Sequence, residues 1–296
     1  MKIIVSSSEL SLKSPPVERK MTDRLTDRIR EQLARRDIEA AVIQQEGRMF
    51  VKAEEDDVPD AVEALERTPG IKLIAPALET DLDIDSIWDA VQEAIQGEEP
   101  DSFAVDARRT GEEHDYTSKD LENEIGQRIV DEKGWDVDLD DPDLTVSIEA
   151  RYENAYVYTR VFDGVGGVPI SRDSVVVVPV RDRVDVYAGY LLMKRGCTVA
   201  PVYNGNHPPE ADEAVTVLSA YDPGIKLVTM DRDSDVDAIN AAAEQFDATA
   251  IGVGLTFDEI EDFDPEIYER SVLTPTCSLS EEEVLEQYAA IAVPRV

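Results

Sequence analysis

Val175-Val176-Val177-Val178-Pro179-Val180, then Arg181-Asp182-Arg183, then Val184 through Arg195, decide the fold of the C-terminal half. The first six residues hold no polar side chain, the pattern of a strand buried on both faces. Val184 to Arg195 reads as a helix, and Thr198 to Tyr203 is again a short apolar strand. A strand, a helix and a second buried strand in close succession imply a parallel βαβ unit. The pattern continues with helices at 211–220 and 236–245 and strands at 225–230 and 248–253. This predicts a doubly wound parallel sheet. A last helix is predicted from Ser280 to Ala292, with Ser280 and Glu283 spaced as a capping box.

Upstream, Gly164-Val165-Gly166-Gly167-Val168-Pro169 is a breaker cluster and reads as a linker. Before it, 84–160 predicts an α/β domain. Ile84, Ile87, Val91 and Ile95 share one helical face, as do Leu121, Ile125 and Ile129. Asp83 or Asp85 can cap the first helix, and Thr117 or Ser118 the second, which Gly134 can end. Strands are predicted at 102–108, 144–150 and 155–160. The first 80 residues read β-α-β-β-α-β, a ferredoxin-like unit. Its first helix, about 16–36, opens on Ser14 and Pro15-Pro16 and carries the stripe Met21, Leu25, Ile29, Leu33. The expectation is an α/β protein of three domains: ferredoxin-like at 1–80, a second α/β domain at 81–170, and a doubly wound parallel-sheet domain at 171–296.

Composition narrows the class. Hydrophobic residues make up 42% of 296 residues, enough for packed cores. No apolar run approaches the roughly 20 residues that span a bilayer, and Met1-Lys2-Ile3-Ile4-Val5 runs straight into serines and Glu9, unlike a signal peptide. A cytoplasmic protein without a membrane partner is the expectation. Two cysteines and two histidines exclude a disulfide framework and argue against structural zinc. The net charge of −36, from 65 acids and 29 bases, reads as adaptation to a high-salt, halophilic cytosol. The first fifty residues differ: ten bases against eight acids leave them at +2, the one long stretch that does not repel phosphate overall.

Five stretches, in order, resemble the tRNA 4-thiouridine synthases (tRNA sulfurtransferases). They are Glu9-Leu10-Ser11-Leu12-Lys13; Val105-Asp106-Ala107-Arg108-Arg109 with His114 and Tyr116; Val137-Asp138-Leu139-Asp140-Asp141-Pro142-Asp143; the glycine cluster at 164–169; and Gly189-Tyr190-Leu191-Leu192-Met193-Lys194-Arg195-Gly196. The resemblance implies a ferredoxin-like domain, a THUMP domain and an ATP-pyrophosphatase-like domain. It also implies that the first two grip tRNA while the third adenylates a uridine and accepts sulfur on a cysteine.

The chain departs from that family at the adenylating loop, whose form is S-G-G-x-D-S. Anchored on Lys194-Arg195-Gly196, the loop positions hold Val180, Arg181, Asp182, Arg183, Val184 and Asp185. Without glycines the backbone cannot close on pyrophosphate, and two aspartates repel it. No cysteine matches the family's sulfur acceptor: Cys197 opens a buried strand, and Cys277 sits where the family has none. The reading is a tRNA-binding THUMP protein of tRNA modification, without adenylation or sulfur transfer of its own, that presents tRNA to a separate modifying enzyme. No cofactor and no metal are expected. Two alternatives stay open: a tRNA sulfurtransferase with an atypical ATP site, and an interaction scaffold that has lost RNA binding. Candidate RNA contacts are Lys13, Arg19 and Lys20 at the first helix, Arg108 and Arg109 at a strand end, and His114 and Lys119 beyond it. The competing reading of each is a solvated or structural residue, with Arg108 and Arg109 pairing with Glu112 or Glu113.

Overall fold

The computed structural model describes residues 1–7, 9, 14–45, 47–111, 115–205 and 209–292. They form two compact units that cut across sequence order. One comprises Met1–Ser6, Glu39–Val62 and Leu73–Asp163; the other comprises Ser7–Ile38, Glu63–Lys72 and Gly164–Val296.

The first unit is built on one nine-stranded sheet. Strands β1 (Lys2–Ser6), β2 (Ala41–Gln45), β3 (Arg48–Lys52) and β4 (Leu73–Thr80) run in the order β2-β3-β1-β4. All are antiparallel, and Ile4 lies opposite both Phe50 and Ala75. This is the ferredoxin-like order. The sheet does not stop there. Strand β4 also pairs with β8 (Ala155–Tyr158), placing Glu79 opposite Tyr156. The order then continues through β7 (Leu144–Ala150), β5 (Ser102–Arg109) and β6 (Asp136–Val137), while β9 (Phe162–Asp163) pairs with the start of β4.

Strands β5 and β7 are parallel, so the chain must cross over between them, and α4 (Ser118–Lys133) makes the crossing. Thr117 and Asp120 form a reciprocal capping box at its start, and Gly134 ends it in the left-handed conformation. In α3 (Ile84–Ala94) the cap is Asp83, whose carboxylate accepts from the Ser86 amide. The two stripes read from the sequence, Ile87-Val91-Ile95 and Leu121-Ile125-Ile129, are buried against Phe103, Val146, Ile148 and Val157. Each such burial contributes roughly 1.5–3 kcal/mol relative to exposure.

In the second unit, β10 (Ser171–Pro179), β11 (Cys197–Asn204), β12 (Val228–Met230), β13 (Ala250–Gly252) and β14 (Val272–Leu273) form a parallel sheet in the order β12-β11-β10-β13-β14. The valine run is buried on both faces, as its pattern requires. Val176 and Val178 pack with α5 (Arg183–Lys194), α6 (Pro209–Ser219) and α8 (Glu281–Ala292). Val177 packs with Ile239 and Ala242 of α7 (Asp235–Gln245). The reciprocal bonds of Ser280 and Glu283 cap α8.

Helix α1 (Pro15–Ala34) also belongs to this unit. Its start differs from the expectation: Ser14 occupies the cap position but makes no side-chain cap bond. A row of residues spaced three or four apart on α1 engages the parallel-sheet domain. Lys20 and Arg24 both reach Asp173. Arg28 lies 3.7 Å from the buried Asp222. The Gln32 amide donates to the carbonyls of Ala220 and Tyr221 at 3.0 and 3.1 Å, and Arg35 donates to that of Ser219. Much of the basic excess of the first fifty residues is therefore engaged within this unit. The residues of the remaining helix, α2 (Val58–Glu66), are divided, those up to Val62 counted with the first unit and those from Glu63 with the second.

Candidate functional site

In open parallel sheets, ligands bind outside the carboxyl ends of the strands where the strand order reverses. Here that crevice lies between β10 and β13, and the turn from β10 into α5 fills it with the chain's own charges. Asp182 is the N-cap of α5, and its Oδ1 accepts from the amides of Val184 and Asp185 at 2.9 and 3.0 Å. Asp185 is fully buried. Its Oδ2 accepts from the amide and Nε of Arg181 at 3.2 and 2.7 Å; its Oδ1 accepts from Arg181 Nη2 at 2.8 Å and the Gly254 amide at 2.9 Å. The amides of Val184 and Asp185, which could receive an anion, are thus already bonded to the Asp182 carboxylate.

Gly254 closes the crevice from the β13 side. A Cβ there would sit 2.5 Å from the Asp185 amide nitrogen, so the backbone after β13 lies directly on the first turn of α5. Burial pushes the Asp185 carboxyl up, against the opposing pull of Arg181 and the Gly254 amide. The bond to Asp185 pushes Arg181 above its ordinary value. Four donors thus surround the two oxygens of Asp185.

Two cavities flank the ion pair. One, about 270 Å³, is lined by Pro179, Arg181, Val202, Asn204, Asp235 and Ile239. The other, about 320 Å³, is lined by Asp182, Arg183, Val184, Glu213, Leu285 and Tyr288. Each carries a carboxylate in its lining. In the second, Arg183 lies 3.6 Å from Glu213 and covers the Tyr288 ring. The Tyr288 hydroxyl donates to Glu213 and is pushed up to about 12 by burial and by that carboxylate. Among the described residues, the arginines that line the cavities face carboxylates, Arg181 facing Asp185 and Arg183 facing Glu213. Cys197 and Cys277 are both partly exposed free thiols, and burial pushes the Cys197 thiol up, away from the thiolate. Among the described residues no group of three metal-ligating side chains gathers, and no helix is long and apolar enough to cross a membrane.

The candidate RNA contacts fall in both units. Arg108, 70% exposed at the end of β5, pairs with Asp106 at 3.1 Å. Glu112, Glu113, His114 and Lys13 lie outside the described residues. Arg109 donates to the Tyr116 carbonyl at 2.8 Å, and the Tyr116 hydroxyl in turn donates to the Leu82 carbonyl at 2.7 Å, so Arg109 fastens the segment leading into α4. Lys119, on the first turn of α4 and 67% exposed, reaches Glu122 at 3.2 Å. In the other unit, Arg19 is exposed on α1 without an acidic partner among the described residues, and Lys20 shares Asp173 with Arg24.

Two further cations, Arg48 and Arg151, were not visible in sequence. The register places Arg108 opposite Glu149, and Arg48 holds Glu149 through bonds of 2.9 and 3.0 Å. Arg151 lies 3.4 Å from the same carboxylate. The Tyr158 hydroxyl donates to it as well and is pushed up to about 12, chiefly by burial. Cross-strand neighbours of this kind are set by register, which no local motif encodes.

Comparison with known proteins places this geometry. The ThiI ferredoxin-like domain family matches residues 2–75 and the THUMP domain family matches residues 82–160. A probable tRNA sulfurtransferase of Methanocaldococcus jannaschii is 29% identical over 254 residues, covering 81% of this chain and 66% of that one. Those of Methanothermobacter thermautotrophicus and Halobacterium salinarum are 33% and 32% identical over 240 residues, 76% of this chain and 60% of theirs. The chain thus spans roughly half to two thirds of the length of these curated relatives. The crystal structure of PH1313 from Pyrococcus horikoshii aligns over 99% of both chains with a TM-score of 0.84 at 26% identity. A 4-thiouridine synthetase solved in complex with RNA and bound ATP aligns over 98% of this chain and 84% of its own, with a TM-score of 0.80 at 20% identity, a likeness of fold.

Proposed function

The chain belongs to the THUMP-domain family of the tRNA sulfurtransferases, and on that basis we propose that it binds tRNA without itself adenylating or thiolating it. In this reading residues 1–80 and 81–170 are the RNA-gripping domains, and 171–296 is an ATP-pyrophosphatase-like domain that no longer takes ATP. The bound tRNA would be handed to a separate modifying enzyme, in a cytoplasm of high salt.

One observation carries the catalytic half. The first turn of α5, where a glycine-rich loop would hold pyrophosphate, is capped by Asp182 and filled by the Arg181–Asp185 pair under Gly254. A triphosphate entering there would have to displace a buried ion pair and meet two carboxylates. The RNA half is supported by the two family domains and by exposed cations, of which Arg19, Lys20, Arg108, Arg109 and Lys119 are described and Lys13 and His114 are further candidates. A second reading, a tRNA sulfurtransferase with an atypical site, is favoured by the names of the relatives.

The test of RNA binding is a mobility shift of folded tRNA at molar KCl with the full chain. The intact protein should shift tRNA, and replacing Arg19, Arg108 and Lys119 together with alanine should weaken the shift. Since α1 sits in the same compact unit as the C-terminal domain, cutting the chain near 170 would remove part of the support of α1; substitutions are the cleaner perturbation. No shift by the intact protein would sink the proposal and leave the interaction-scaffold alternative.

A further inference from the structure

The segment ahead of β10, Gly164-Val165-Gly166-Gly167-Val168-Pro169, carries no charged side chain and is held through its backbone on both sides. The amides of Gly164 and Gly166 donate to the carbonyls of Lys72 and Ile71 at 2.9 and 2.6 Å, and the Gly70 amide donates back to Gly166 at 2.8 Å. On the other side, Val168 donates to the Lys194 carbonyl at 3.1 Å and Ser171 to that of Gly196 at 2.8 Å. A Cβ on Gly164 would lie 2.4 Å from the Ile71 carbonyl oxygen, and one on Gly167 would lie 2.0 Å from that of Lys194. The backbones approach too closely at Gly164 and Gly167 for a side chain on either residue, and the apolar side chains of Val168 and Pro169 pack on Gly196 and Gly70.

This joint brings the backbones of Lys72 and Lys194 to one short segment. Lys72 is bonded to position 164 and Lys194 to position 168 of one short segment. Four extended residues reach at most about 14 Å, and Arg195 follows directly. Most cations of this chain are held by an acid. The side chains of Lys72, Lys194 and Arg195 have neither an acid nor a carbonyl partner among the described residues. The C-terminal end of α5 favours positive charge through the helix dipole, which accounts for two of the three. It does not account for Lys72, nor for the lack of any acid partner in a chain whose acids outnumber its bases 65 to 29.

We propose that Lys72, Lys194 and Arg195 form a phosphate-binding patch for the RNA backbone, laid over the neutral glycine surface of this joint. The proposal rests on the tRNA-binding reading and adds a surface of the C-terminal unit to it. A floor without side-chain carboxylates lets a phosphate approach closely, and three cations around it supply charge-assisted contacts that carry no sequence information. It also gives the glycines of the segment a role beyond flexibility, since bulkier residues would push the two basic turns apart.

The experiment is the KCl dependence of tRNA affinity for the full chain. Each phosphate contact contributes about 0.7 to the slope of log affinity against log salt for single strands and about 0.9 for duplex. Replacing all three cations with glutamine should lower the affinity and make the slope shallower by about 2–3. Lys194 is half-buried, so the pair Lys72→Gln and Arg195→Gln, both exposed, is measured as well and should lose about 1.5–2 of slope. Lys226→Gln, an exposed cation elsewhere in the same unit, should leave the slope unchanged. If the intact protein binds tRNA and the double and triple variants keep its slope, the patch is refuted while the tRNA reading stands. If the intact protein binds no tRNA, both fall.

Discussion

Replacing Arg181 with methionine keeps most of the stem and removes the two side-chain donors that face Asp185. The carboxylate, fully buried, then retains only the amides of Arg181 and Gly254, at 3.2 and 2.9 Å. Breaking a buried pair from one side costs about 3–5 kcal/mol. Arg181 is 40% exposed, so solvent screens part of that attraction, and about 2–3 kcal/mol is expected at neutral pH. The pH dependence carries the diagnosis. Burial already holds the Asp185 carboxyl above its unfolded value, and removing Arg181 takes away the largest pull that opposes it. A group raised on folding contributes stability below its unfolded value and loses it as pH rises through the folded one. The penalty should therefore be small near pH 4 and grow toward neutrality, by about the amounts just given. Both tryptophans, Trp88 and Trp135, lie in the other compact unit, so their fluorescence is the wrong probe. Amide hydrogen exchange of α5 and β10 reads the affected region directly. Unchanged exchange at neutral pH, or a loss that is the same at every pH, would show that the pair does not hold this crevice.

Three other outcomes follow from the same structure. Gly167 has φ 72 and no room for a Cβ beside the Lys194 carbonyl, so Gly167→Val should cost about 2 kcal/mol or more, read as a fall in melting temperature. The net charge of −36 should lower the melting temperature on dilution from about 1 M to 0.1 M salt, as the Debye length grows from about 3 to 10 Å; an unchanged value would remove the salt-adaptation reading. Tyr158 and Tyr288, pushed up to about 12 from 10, should ionise after the other tyrosines in an ultraviolet titration. Their contribution to stability is present below pH 10 and lost as pH rises toward 12, so the melting temperature should fall across that window.

The parallel sheet was legible because its signal is local. Val175 to Val180 has the pattern of a strand covered on both sides, and the cap candidates Asp83 or Asp85, Thr117 or Ser118, and Ser280 mark their helix starts, the structure using Asp83, Thr117 and Ser280. The two-residue strands β6, β9 and β14 were not legible, since two residues carry no periodicity. Nor was the merging of the ferredoxin-like and second sheets, which depends on the pairing of Glu79 with Tyr156. At the candidate site, sequence showed that glycines were missing and that aspartates stood in their place. It did not show that Asp182 caps α5, or that Asp185 and Arg181 face each other across one helical turn, although the spacing of four hinted at it. Gly254 left no trace, because its role comes from a close approach between β13 and α5. The placing of α1 beside Asp173 and Asp222 is likewise a long-range contact, invisible in a local excess of two positive charges.

The proposed function requires that the chain hold tRNA beside a domain that does not activate it. The most direct test is pyrophosphate release from ATP by the full chain at saturating tRNA and molar KCl. No release above the protein-free blank is predicted, because the Asp182 carboxylate already takes the amides of Val184 and Asp185, and that of Asp185 takes Arg181 and the Gly254 amide. Release that depends on tRNA and disappears in Asp185→Ala would contradict the claim and make the protein an enzyme.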